Sequence, residues 1–367
     1  MASGPELLTD IGAAVAAHTD ASQGQVDGAP TGASSTEYRY VRTLVTADAV
    51  GGLVEALQNP EGRFMWGVRD LDVLMRGVGD GELCLLTGMP HSGKTQLLFQ
   101  AICNDPTGRF ILFTLDEVTE LVLMKLAAVT LGLDPEDVEK RITQGDQEMI
   151  ATLKGVASNT FPNLVVIEDA VDFDDMRRAV MECEEFWGGR CQGVFLDYVE
   201  LIPGDGEHDG VQWKLQECKR FAKGVKRPCV FIHQARTRGD SKRGQPQGMG
   251  GMRYGGEDVA TFVVEVYRIA QDTTLDQFER EAEANTVNVN LCKNKRPPSK
   301  TGDIKLFMHP YSGAIRPLAE GERMSPQDRP IEDKNGPLVD RATYVAAPVV
   351  PSIPPGEPEP TQQQEVF

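Results

Sequence analysis

The chain has 367 residues, with 40% hydrophobic and 25% charged residues, which is ordinary globular usage and excludes collagen-like or wholly low-complexity sequence. No window approaches 18 consecutive apolar residues, so a spanning helix is excluded. The net charge of -18 argues against coating DNA through global charge, but residues 214–243 hold ten Lys/Arg against two acids, a local basic stretch able to bind nucleic acid.

Residues 1–40 carry five acids and one base, lack a sustained apolar period and read as a disordered tail. Their start, MASGPELLTDIGAAVAAHTD, has no basic segment before an apolar run and is a poor signal peptide. Within residues 41–62 a helix is predicted near 46–58. Thr46 can cap it, and Val50, Leu53, Val54 and Leu57 form one apolar stripe, to pack on its own domain or on a neighbouring subunit.

Beyond Trp66, short apolar runs alternate with helical stretches. The predicted strands are 83–86, 110–114, 164–167, 194–196, 229–232, 262–267, 287–291 and 304–308. Helices are predicted at 96–103, 121–131, 173–185 and 212–223. Buried strands alternating with helices indicate an α/β fold with a mostly parallel sheet, and the last strands, with no helix between them, indicate an antiparallel edge. Residues 319–367 hold nine prolines and nine acids and read as a second disordered tail. The seven cysteines lie far apart with no CxxC spacing, and read as buried thiols in a reducing cytosol.

The strongest chemical signal is Gly88-Met89-Pro90-His91-Ser92-Gly93-Lys94-Thr95, which fits G-x-x-x-x-G-K-[ST] in full between a predicted strand and a predicted helix. Backbone N–H groups of such a loop converge on a phosphate, and the helix N-terminus favours negative charge. Lys94 reaches the β- and γ-phosphates of ATP, and Thr95 places its hydroxyl on Mg²⁺. His91 occupies a variable position and reads as tolerated.

A P-loop needs an acid to complete the magnesium site. Asp197 ends the apolar run Gly193-Val194-Phe195-Leu196 and is preferred for that role over Glu168 and Asp169, which end a rival run, because the motifs that follow fit only that choice. Asp116 and Glu117 follow the strand after the P-loop helix, where either could orient the attacking water or cap the next helix. Gln234 ends a further strand and could report the γ-phosphate. Residues 236–256 hold seven glycines and the cations Arg236, Arg238, Lys242, Arg243 and Arg253 against one acid, a flexible loop suited to following a phosphate backbone. Lys293, Lys295 and Arg296 sit on a turn after a strand, where a cation can reach a phosphate in the next subunit or simply face solvent.

The order of these motifs resembles the ATPase domain of the RecA-like superfamily, and most closely the DnaB-type replicative helicases. Phe113-Thr114-Leu115-Asp116-Glu117 is similar to that family's F-S-L-E-M, whose Glu is the base, and Asp116 takes its place. Leu196-Asp197-Tyr198-Val199-Glu200-Leu201 is similar to I-D-Y-L-Q-L, and His233-Gln234-Ala235-Arg236 to S-Q-L-[SN]-R. Met252-Arg253-Tyr254-Gly255-Gly256 onward, with Tyr267-Arg268, resembles D-L-R-E-S-G…Y-R, and Lys293-Asn294-Lys295-Arg296-Pro297 resembles the K-x-R-x-G-P finger.

The resemblance covers about residues 62–318, and the domain boundary is set at 63–318. It implies a RecA-like ATPase core that assembles as a hexameric ring, hydrolyses Mg-ATP between subunits and translocates on single-stranded DNA in replication. It further implies DNA contacts from 236–256, a linker helix packing on the next subunit, and replication proteins as partners through the tails. Cytoplasmic location in a bacterial host and phage origin are the matching expectations, since the helical collar of bacterial DnaB has no counterpart. A RecA-type recombinase and a KaiC-like regulatory ATPase that binds no DNA are the alternatives.

Overall fold

The computed structural model describes Val54, Gln58 and residues 62–169, 172–203, 209–234, 243–248 and 258–322. The tails fall outside these residues, as does most of the helix expected at 46–58, of which Val54 and Gln58 are helical.

The described part opens with a small antiparallel pair, β1 (Arg63–Phe64) and β2 (Val78–Gly79), around helix α1 (Arg69–Met75). The buried Asp72 carboxylate fixes this entry by accepting the Trp66 and Gly67 N–H groups at 2.8 and 2.9 Å.

Then β3 (Leu83–Gly88), α2 (Lys94–Asn104), β4 (Phe110–Thr114) and α3 (Thr119–Leu131) follow in alternation. Two shorter helices, α4 (Pro135–Thr143) and α5 (Gln147–Gly155), precede β5 (Leu164–Ile167). Each begins at an aspartate, Asp134 and Asp146, whose carboxylate accepts first-turn N–H groups. The chain continues through α6 (Phe173–Trp187), β6 (Gly193–Asp197), α7 (Asp209–Val225), β7 (Cys229–Gln234) and β8 (Phe262–Tyr267). A short α8 (Gln277–Ala282) leads into β9 (Thr286–Asn294), β10 (Gly302–Met308) and β11 (Ile315–Pro317). The alternation did not announce α8. It is one turn and a half, held by the Asp276–Glu279 capping box rather than by an apolar stripe.

Among the described residues these strands form a nine-stranded sheet in the order β11-β10-β9-β8-β3-β7-β6-β4-β5. From β8 to β5 neighbours are parallel, while β9, β10 and β11 form the expected antiparallel edge. The central strands are continuous apolar runs because both faces are covered. Cys84 and Leu86 pack with Leu97, Phe99 and Leu126 on one face, and Leu83 and Leu85 pack with Met176, Leu215 and Phe221 on the other. No described helix is long and apolar enough to cross a membrane. In this mostly parallel sheet flanked by helices, the carboxyl ends of β3, β7, β6 and β4 lie side by side, which is where open α/β sheets bind ligands.

Candidate functional site

The loop Gly88–Thr95 joins β3 to α2 at that edge. Gly88 has φ 153°, and a Cβ there would lie 2.3 Å from the Val266 carbonyl oxygen, so no side chain fits. Gly93 (φ 100°) caps α2 in a left-handed conformation and packs the loop over β8 and β9. His91 also has positive φ, and its carbonyl accepts the Gln271 side-chain amide at 2.8 Å.

Lys94 is buried within the loop and donates to the Gly88 and Met89 carbonyls at 3.0 and 2.9 Å. Burial lowers its pKa, and the Asp197 and Glu200 carboxylates work against that shift. The Ser92 hydroxyl is buried with no hydrogen-bond partner among the described residues, an unsatisfied polar group within the loop.

Thr95 donates its hydroxyl to Asp197 Oδ2 at 2.7 Å, joining the first turn of α2 to the end of β6. Burial pushes the Asp197 carboxyl up to about 6. The Thr95 hydrogen bond opposes this, and Glu117 adds to it. Two hard oxygen donors fit Mg²⁺, which keeps several waters and takes its other oxygens from phosphates. The rival acid Glu168 is engaged elsewhere: it accepts the Thr119 N–H and hydroxyl at 2.8 and 3.2 Å, at the start of α3.

Asp116 and Glu117 lie just past β4, whose Thr114 is paired with Asp197. Their surroundings differ. Asp116 is exposed and has no hydrogen bond among the described residues, whereas Glu117 is ion-paired with Lys125 of α3 and carries a buried, unpartnered Oε2. Gln234 ends β7 directly beside the P-loop, its Cα paired with that of Gly88. Its N–H donates to Glu200 Oε1 at 2.9 Å, and its side chain hydrogen-bonds Tyr198.

Lys293, Lys295 and Arg296 stand at the opposite edge of the sheet. Asn294 pairs with Phe262 and Phe262 with Cys84, at the amino end of β3 rather than at Gly88. These cations are therefore remote from the P-loop of their own chain. Lys295 donates to the Asp258 carbonyl at 2.9 Å and is exposed. Arg296 is engaged within its own chain. It forms a two-point ion pair with Glu82, donates to the Met75, Arg76 and Gly77 carbonyls, and lies over the Phe262 ring. An arginine engaged through Nε and both terminal nitrogens fastens this turn to the end of α1.

Of the glycine-rich stretch, residues 243–248 are described. Arg243 is exposed, while Arg236, Arg238, Lys242 and Arg253 lie outside the described residues. Two buried acids anchor the segment. Glu265 on β8 accepts the Gln247 and Gly248 N–H groups at 2.6 and 2.9 Å, and Asp272 accepts the Gln245 side chain at 2.6 Å. Sequence reasoning missed both anchors, together with Glu82, Glu200 and His233. An acid inside an apolar strand, as at Glu265, was the one available signal.

Comparison with known proteins places this geometry. The family profile of the DnaB-like helicase C-terminal domain matches residues 64–312. Among solved structures the chain resembles a DnaB-like replicative helicase determined with its interactions with primase, at 15% identity and TM-score 0.62, over 73% of this chain and 67% of that one. It also resembles a second solved structure, that of an ATPase domain, at 17% identity and TM-score 0.60, over 74% of this chain and 98% of that one. No curated protein sequence matches.

Proposed function

The chain belongs to the DnaB-like helicase C-terminal domain family and is an ATP-hydrolysing, helicase-type enzyme, and from that premise we propose that it is a Mg-ATP-driven motor on single-stranded DNA. It works in replication, in the cytoplasm, as a hexameric ring with ATP hydrolysed between subunits. The observation that carries this reading is the convergence of the P-loop, the Thr95–Asp197 hydrogen bond and Gln234 on one sheet edge.

In this mechanism the backbone of Gly88–Gly93 receives the phosphates and Lys94 donates to the β- and γ-phosphates in place of its present carbonyl partners. Thr95 and Asp197 would hold Mg²⁺, which would supply charge neutralisation to the triphosphate. Asp116 is the base. Its carboxylate is exposed beside Asp197 with no ion pair among the described residues, whereas Glu117 is paired with Lys125 and holds the strand end against α3. Gln234 contacts the γ-phosphate and passes its loss to the glycine-rich loop that follows it.

Lys293 and Lys295 act on the ATP of the neighbouring subunit. Their distance from their own P-loop across the sheet supports a role in trans; Lys293 lies near the end of β9 itself rather than on the expected turn, and Arg296, clamped to Glu82, sets the turn that carries Lys295. Arg236, Arg238, Lys242, Arg243 and Arg253 follow the DNA backbone without reading bases. A primase-type partner is included in the proposal, engaged through the tails.

The test is ATP turnover with and without single-stranded oligonucleotides, alongside binding measured across salt. Turnover should rise with DNA, affinity should fall by about one log unit per log unit of salt for each phosphate contact, and Arg253→Ala should lower both stimulation and that slope. ATP turnover with no DNA binding at low salt, with ATP analogue and Mg²⁺ present, would identify a regulatory ATPase instead.

A further inference from the structure

Behind Gln234 lies a pair of ionisable side chains that touch neither the P-loop nor the magnesium oxygens. Glu200 sits on the single turn Val199–Leu201 that follows β6, and His233 is on β7. His233 is 0% exposed, and its Nδ1 lies 2.8 Å from Glu200 Oε1. That same carboxylate oxygen accepts the Gln234 N–H at 2.9 Å. Lys214 of α7 donates to the Glu200 carbonyl at 3.0 Å, which ties the turn down from below. Burial pushes the Glu200 carboxyl up, but the His233 contact and the Gln234 N–H outweigh it, and the carboxyl ends below its ordinary range.

Gln234 is thereby held at two points, its main chain by Glu200 and its side chain by Tyr198, the residue after Asp197. The two strand ends that frame the γ-phosphate position are linked through this contact. In the related motifs I-D-Y-L-Q-L and S-Q-L-[SN]-R, the places of Glu200 and His233 are taken by Gln and Ser.

We propose that Glu200 and His233 form a positioning couple that fixes Gln234 against the phosphate loop and so sets the rate of ATP hydrolysis without touching the nucleotide. The proposal rests on Gln234 acting at the γ-phosphate. It distinguishes a couple that tunes chemistry from one that merely fills the core, because the two residues should fail singly and recover together. Glu200→Gln keeps an oxygen for the Gln234 N–H but gives up the charged partner of His233. His233→Ser leaves the Glu200 carboxylate buried without its imidazole, a costly arrangement. Glu200→Gln with His233→Ser restores a neutral hydrogen-bonding pair in the same two places.

The experiment measures kcat and KM for ATP, and binding of a non-hydrolysable analogue, on the full chain and these three variants. Each single variant should lose about tenfold or more in kcat, with KM and analogue binding within about twofold, since only the reacting geometry shifts. The double variant should return to within about threefold of wild-type kcat, a coupling that independent sites do not show. Wild-type kcat in both single variants would overturn the proposal, as would a double variant no faster than the slower single one while still binding analogue. A single variant that no longer binds analogue is judged by the double: recovered binding and turnover support the couple, and failure of both refutes it. Absence of turnover in the wild type would overturn the hydrolase reading itself, and the couple with it.

Discussion

Replacing Asp197 by Asn should stabilise the nucleotide-free protein while destroying its activity. Asp197 is 7% exposed, and burial is the main reason its carboxyl stands at about 6 rather than 3.8. A shift of that size corresponds to about 3 kcal/mol of disfavoured ionisation in the folded state at neutral pH. Asn keeps the volume and an oxygen for the Thr95 hydroxyl, and removes the charge.

The sign follows from proton counting. Between pH 3.8 and about 6 the folded protein holds this proton and the unfolded chain has lost it, so wild-type stability falls as pH rises through that window. Above pH 6 the penalty is complete and constant. Asp197→Asn should therefore unfold at a temperature higher by roughly 5–10 °C at pH 7, and the gap should close as pH drops toward 4. Comparing the two proteins at each pH cancels the other carboxyls. In parallel, ATP turnover should drop by about 10²-fold or more, since a magnesium oxygen has lost its charge. A variant less stable than wild type at pH 7, or one whose gain is the same at pH 4 and pH 7, would refute the account of Asp197 as a strained, functional acid.

Lys94→Ala should lower ATP hydrolysis by about 10²-fold or more with the fold retained by circular dichroism, and wild-type turnover would remove the nucleotide reading. Asp116→Asn should cost about 10²-fold in kcat and Glu117→Gln under about tenfold; the reverse order would move the base to Glu117. A Lys293→Ala, Lys295→Ala subunit mixed with a Lys94→Ala subunit should regain activity neither has alone, because mixed rings contain intact interfaces, whereas proven co-assembly without recovery would end the role in trans. Glu265→Ala should free the Gln247 and Gly248 N–H groups and speed proteolysis within 236–256, and unchanged cleavage would show that this anchor does not hold the loop.

Much of the sheet was legible because its strands are buried on both faces and so read as uninterrupted apolar runs. Leu83-Cys84-Leu85-Leu86 and Phe110-Ile111-Leu112-Phe113 declare themselves without any partner. Helices α4 and α5 escaped because each buries little, Val138 in one and Met149 in the other. Their capping aspartates were nonetheless visible as Asp134-Pro135 and Asp146. Strand order was not legible, since the neighbours of β3 come from residues far along the chain. That order is what brings Gln234 to Gly88 and carries Lys293 and Lys295 away from it. At the site, the P-loop was read from its letters alone. The preference for Asp197 over Glu168 was legible from the motif order, and the structure adds the Thr95 contact; separating Arg296 from its neighbouring lysines required knowing that Glu82 and three carbonyls meet its guanidinium. A basic turn has the same sequence whether its cations face a partner or their own chain.

The most direct test of the motor reading is unwinding of a forked duplex with single-stranded arms. The wild-type chain should separate the strands with ATP and Mg²⁺, and should do nothing with a non-hydrolysable analogue or with Lys94→Ala in its place. ATP hydrolysis stimulated by single-stranded DNA but with no strand separation on any fork would contradict the helicase account and leave a DNA-dependent ATPase of another kind.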